Sequence, residues 1–103
     1  MTETIRIVLV DDHPLFREGV AYTLGAQADM TVVAQGESGD EAVRLAATCM
    51  PDVLLLDLNI PGGGIAAARA VAAAQPDVRV IMLTASGDEH ALAEAGRLAA
   101  FNQ

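Results

Sequence analysis

Four residues stand where apolar segments of this chain give way to polar ones: Asp11 and Asp12 directly after Ile5–Val10, Asp57 within Val53–Leu58, and Thr84 closing Val78–Thr84. Asp57 is the hardest to dismiss. Five of the six residues from Val53 to Leu58 are apolar, and a charge inside such a run costs on the order of several kcal/mol unless it is compensated. Three carboxylates brought together would repel and raise one another's pKa unless a cation joined them. Oxygen-only donors favour Mg²⁺ over zinc. A carboxylate beside such an ion can attack phosphorus and hold an acyl phosphate. Backbone N–H groups, or a hydroxyl such as Thr84, would cradle the phosphoryl oxygens.

Each residue also has a plainer reading. An Asp pair after a strand is often a solvated turn, and Asp12 can simply cap the following helix. Thr84 is a common type of strand residue. His13 reads as structural or exposed, since no second His or Cys lies nearby to complete a metal site. Gly62–Gly64 resembles a phosphate loop only superficially, because the Lys-Ser/Thr and the spacing of a Walker sequence are missing. It reads as a mobile loop with a tight helix entry.

The elements that must position these residues alternate in kind. Ile5–Val10 (IRIVLV) reads as a strand buried on both faces. A helix opens at His13-Pro14, where proline's missing N–H costs nothing. Phe16, Val20 and Leu24 share one face of it, and Gly25 suits its end. Thr31–Gly36 is a shorter, more polar strand, expected nearer an edge. Ser38-Gly39-Asp40-Glu41 has capping-box spacing and starts a helix to about Cys49, which Met50-Pro51 ends.

Val53–Leu58 is the most apolar strand and should be central. An Ala-rich helix follows the glycines and stops at Gln75-Pro76. Val78–Thr84 is a fourth strand, and Ser86-Gly87-Asp88-Glu89 repeats the capping spacing ahead of a fourth helix toward Phe101. Four βα units in order predict an α/β fold, a doubly wound parallel sheet with helices on both faces. In such a sheet ligands bind outside the carboxyl ends of the strands, where all four residues fall.

Composition narrows the function classes. The chain of 103 residues, 52% hydrophobic, is expected to form one domain with one core and no separate effector module. Twenty alanines and only three aromatics predict helices lying close to the sheet. A formal net charge of -8 argues against direct binding of nucleic acid or of an anionic membrane. The single Cys49 excludes an internal disulfide and fits a reducing compartment. The N-terminus lacks signal-peptide character and no apolar run is long enough to span a membrane, so a cytoplasmic location is expected.

Three blocks resemble one family. Val10-Asp11-Asp12-His13-Pro14-Leu15-Phe16-Arg17-Glu18-Gly19 is similar to the opening of receiver domains in the LuxR/NarL class of response regulators. Leu55-Leu56-Asp57-Leu58-Asn59-Ile60-Pro61-Gly62 resembles the phosphoacceptor strand and loop of that class, and Ile81-Met82-Leu83-Thr84-Ala85 its fourth strand. The resemblance implies a flavodoxin/CheY-like receiver fold over residues 1–103, with Asp57 as phosphoacceptor.

It further implies that Asp12 holds Mg²⁺ directly and Asp11 through water, with Asp57 and the Asn59 main-chain carbonyl as further ligands. Thr84 would be the switch hydroxyl. The donor would be the phosphohistidine of a sensor histidine kinase. The output would be transcriptional, through a C-terminal helix-turn-helix domain outside this chain. The domain would not be an enzyme beyond Mg²⁺-dependent self-phosphorylation.

The sequence also departs from the pattern. All six cationic residues are arginine, so the lysine that the family places at the end of a fifth strand has no counterpart. The last βα unit, with its aromatic switch residue, is expected to be lacking, and Phe101 does not take that role. Two expectations follow: phosphotransfer to Asp57 is slow or absent, and the edge of the fourth strand invites a homodimer or swapping. A non-phosphorylated pseudo-receiver acting through its surfaces is the alternative. A phosphatase is disfavoured by Asn59 where a second acid would stand, and a nucleotide-binding fold by the absence of its glycine fingerprint.

Overall fold

Strand and helix alternate through the whole of residues 4–83, which the computed structural model describes. The order is β1 (Ile5–Val10), α1 (Pro14–Gly25), β2 (Met30–Gly36), α2 (Gly39–Cys49), β3 (Val53–Asp57), α3 (Gly64–Ala74) and β4 (Arg79–Leu83). Thr84 and the expected fourth helix lie outside the described residues. All pairings are parallel, in the order β2-β1-β3-β4. The doubly wound parallel sheet expected from the apolar runs is therefore present. Strand order reverses between β1 and β3, so the crevice that such a sheet offers to ligands opens at their carboxyl ends.

Alternation along the strands assigns the two faces. Val8, Val10, Leu54, Leu56 and Val80 pack with Ala42 and Ala46 of α2 and Ala67, Ala68 and Val71 of α3 in one buried cluster. The small alanine side chains let both helices lie close on the sheet. Ile7 and Leu9, also buried, point to the opposite face. There α1 touches β1 and β2 and makes no contact with α2 or α3. The fourfold apolar spacing of α1 is only partly used: Val20 and Leu24 are half-buried, and Phe16 is 46% exposed. No residue of α1 is fully buried.

Local chemistry ends each element where the site requires it. The Ser38 hydroxyl accepts the Glu41 N–H at 3.2 Å and caps α2. Glu41 answers not to Ser38, as the capping-box pattern anticipates, but to the N–H of Glu37 at 3.1 Å. Met50, at φ 47°, closes α2 in the left-handed region that glycine usually fills.

The connection from β3 to α3 is a bonded turn rather than an open loop. Gly62 and Gly63 adopt φ of 89° and 88°, open to glycine at little cost. The Gly63 N–H donates to Ile60 O at 2.9 Å, the Gly64 N–H to Leu58 O at 3.1 Å, and the Gly39 N–H of α2 to Pro61 O at 2.9 Å. The start of α3 is thereby seated on the last residues of β3.

Candidate functional site at the carboxyl ends of the central strands

In the registered sheet Val10 pairs with Leu56, and Asp57 pairs with Leu83. The residues that follow β1 therefore arrive beside the end of β3. Asp11, Asp12, His13 and Asp57 each offer a ligand atom within 4.8 Å of the others. Asp11 and Asp57 are 3% and 7% exposed, and Asp12 is half-buried. The expected convergence of three carboxylates thus holds in the folded chain.

Asp11 is fixed at every polar atom type it has. Its N–H donates to Gly36 O at 3.0 Å, its Oδ1 accepts the His13 N–H at 2.8 Å, and its carbonyl accepts Arg17 Nη1 at 2.7 Å. Asp12 is less well satisfied. Its Oδ1 is buried and lies 3.1 Å from His13 Nδ1, yet no hydrogen-bond geometry is achieved. An orphaned carboxylate oxygen beside two other acids is an incomplete arrangement that a divalent cation would complete. The donor set fits a hard cation: carboxylate oxygens predominate, and a main-chain carbonyl follows two residues after Asp57.

Burial pushes the Asp57 carboxyl above its ordinary value. The backbone N–H of Asn59 opposes that shift, the charges of Asp11 and Asp12 add to it, and His13 opposes it. A cleft of about 520 Å³ opens over the group, lined by Asp11, His13, Leu15, Phe16, Asp57, Asn59 and Leu83. Asn59 is exposed at its edge. A small tetrahedral anion would find the Asp57 carboxylate at the base of this cleft. Thr84 directly follows Leu83 and lies outside the described residues.

Two participants escape a reading of the sequence alone. His13 is exposed, as anticipated, but its ring turns back onto both acids, with Nδ1 3.4 Å from Asp11 Oδ1. Arg17 reaches from the first turn of α1 to the end of β1. Its only signal in the sequence is a cation one helical turn beyond His13-Pro14 beside a cluster of acids.

The same chain matches the model of the response regulator receiver domain over residues 7–103. It belongs to that family. Among its relatives, the transcriptional regulatory protein DegU of Brevibacillus brevis is 45% identical over 86 residues, covering 82% of this chain and 36% of DegU. LiaR of Bacillus subtilis, also a transcriptional regulatory protein, is 40% identical over 98 residues, covering 91% of this chain and 46% of LiaR. The chain spans less than half the length of both curated relatives. The signal receiver domain of NarL from Mycobacterium tuberculosis superposes with a TM-score of 0.87 at 36% identity, over 93% of this chain and 78% of that one.

This is a receiver domain of two-component response regulators, similar to transcriptional regulators of the LuxR/NarL group, with the CheY-like fold expected of it. Its family is not one of classical enzymes. The alternative of a non-phosphorylated interaction module draws no support from these relatives. No helix among the described residues is long and apolar enough to cross a membrane.

Proposed function

We propose that this receiver accepts a phosphoryl group on Asp57 from the phosphohistidine of a sensor histidine kinase. One observation carries the reading: the Asp57 carboxylate, buried at the end of a central strand, shares a 4.8 Å cluster with Asp11 and Asp12 beneath an open cleft. An Asp57 oxygen forms the new O–P bond as the P–N bond to the imidazole breaks, and the nitrogen leaves with the electron pair. Asp11, Asp12, Asp57 and the main-chain carbonyl of Asn59 would hold Mg²⁺. The ion, when bound, neutralises charge on the transferring group.

Asp11 and Asp12 otherwise repel that group, so their charge works for transfer only when compensated. The Asn59 N–H steadies the carboxylate in its charged, nucleophilic form. The Thr84 hydroxyl accepts the role of switch group, bonding the phosphoryl oxygens and biasing a two-state equilibrium.

Residues 1–103 serve as the regulated module, and output passes to DNA through a separate helix-turn-helix domain, in keeping with the transcriptional relatives. The acidic receiver itself does not touch nucleic acid or membrane, and it works in the cytoplasm. Incubation with phosphoramidate, a small P–N donor, and Mg²⁺ tests the donor chemistry. Transfer of one phosphoryl group that hydroxylamine removes marks an acyl phosphate. A hydroxylamine-stable adduct, or none on folded protein, contradicts the reading.

A further inference from the structure

We infer that Arg17 is a positioning residue for the cation site, holding the Asp11-Asp12 turn against β2 so that both carboxylates face Asp57. The inference rests on the proposal that these three acids hold a divalent cation. Its basis is the way one guanidinium is divided among acceptors on two strands. Arg17 Nη1 donates to the main-chain carbonyl of Asp11 at 2.7 Å, Nε donates to Gln35 Oε1 at 3.2 Å, and Nη2 lies 3.5 Å from Glu37 Oε1. Asp11 follows β1, Gln35 belongs to β2, and Glu37 follows β2. The side chain is only 15% exposed, whereas the Glu37 side chain is 62% exposed. Arg17 is therefore enclosed by the strand ends rather than laid on the surface.

The need for such a tie follows from charge. Asp11, Asp12 and Asp57 repel one another whenever no cation lies between them, and two of the three sit on the short turn between β1 and α1. The N–H of Arg17 also donates to His13 O at 2.9 Å. Its backbone thus holds the end of the turn while its fork holds the beginning. A planar guanidinium with fixed donor directions sets the carbonyl's position and orientation, which a lysine ammonium does only at one point. Arg17 is not one of the clustered ligand residues; it acts through Asp11. Partners of this kind behind a metal ligand typically affect metal affinity about 10–100-fold.

The test is Mg²⁺ binding by isothermal titration calorimetry on the whole chain without phosphodonor, for wild type, Arg17→Met, Arg17→Lys and Asp12→Asn. Arg17→Met keeps the apolar stem and removes the fork, and it should weaken Mg²⁺ binding by about tenfold or more. Arg17→Lys should fall between it and wild type. In phosphorylation by acetyl phosphate, the Mg²⁺ midpoint should rise by the same factor while the rate at saturating Mg²⁺ stays close to wild type.

A role in stability alone would lower the melting temperature and leave the affinity of the folded protein unchanged. Wild-type affinity in Arg17→Met, with binding lost in Asp12→Asn, overturns the positioning role and leaves the cation site standing. Wild-type affinity in Asp12→Asn overturns the cation site itself. If Arg17→Met does not fold, Arg17→Lys decides: a loss of affinity supports the inference and wild-type affinity refutes it.

Discussion

Replacing Gly64 by alanine should destabilise this domain, although the same change normally favours a helix. Gly64 is the first residue of α3 and sits directly on the end of β3. A Cβ built there would fall 2.7 Å from Leu58 Cα and 2.9 Å from Leu58 O, and would also collide with Asp57 O. Ordinary contact begins at 3.4 Å, so α3 must retreat by at least about 0.7 Å from backbone that cannot rotate away. Overpacking of this kind costs about 1–3 kcal/mol, while exchanging glycine for alanine within a helix returns at most about 1 kcal/mol. Three backbone atoms inside contact distance place the cost in the upper part of that range, about 2–3 kcal/mol, so the net loss is about 1–2 kcal/mol, equivalent to roughly 4–16 °C in melting temperature for a domain of this size.

Gly19, inside α1, provides the control, because a Cβ there meets nothing within 4 Å. Gly19→Ala should stabilise by about 0.5–1 kcal/mol. Urea unfolding of the two variants followed by far-UV circular dichroism compares them directly. The packing argument predicts opposite signs. A Gly64→Ala protein as stable as wild type would refute it, because the contact between α3 and the Asp57 backbone would then be loose. Since that contact also supports the acceptor strand, Gly64→Ala should slow phosphorylation of whatever protein remains folded.

Further outcomes follow from the site and the caps. Because burial raises the Asp57 pKa, the native state binds this proton more tightly than the unfolded chain. The cost of the charged carboxylate is fully present above the raised value and is relieved as pH falls through it. Metal-free Asp57→Asn should therefore melt higher than wild type at neutral pH, with the difference shrinking in mild acid; thermal melts across that range check the sign. Mg²⁺ at a hundredfold excess over its Kd should stabilise wild type by about 2.7 kcal/mol, and Asp12→Asn should lose most of that gain in the same melts. Ser38→Ala should cost about 1 kcal/mol in urea unfolding through loss of the α2 cap.

Much of this architecture is legible in the sequence because parallel strands buried on both faces leave continuous apolar runs. IRIVLV and VLLLD stand out for that reason, and the polar residues that end them mark the carboxyl edge of the sheet. Asp57 was conspicuous because nothing local compensates a charge in such a run. The distance between Asp11 and Asp57 was not legible, since it depends on the register that pairs Val10 with Leu56. Arg17 was hidden for a related reason: its acceptors, Gln35 and Glu37, are distant in the chain and become neighbours only when β2 pairs with β1. The apolar stripe of α1 suggested a covered face, yet burial depends on what lies opposite the stripe, which periodicity does not encode. Gly64 reads as part of a flexible glycine run, whereas its missing Cβ is required by the close approach of α3 to Leu58.

Intact-mass spectrometry after incubation with acetyl phosphate tests the central claim most directly, with and without Mg²⁺ and with Asp57→Asn in parallel. A single phosphoryl adduct that needs Mg²⁺ and is lost in Asp57→Asn is the predicted result. An adduct that persists in folded Asp57→Asn, or no adduct on folded wild type, would contradict the assignment of Asp57 as the phosphoacceptor.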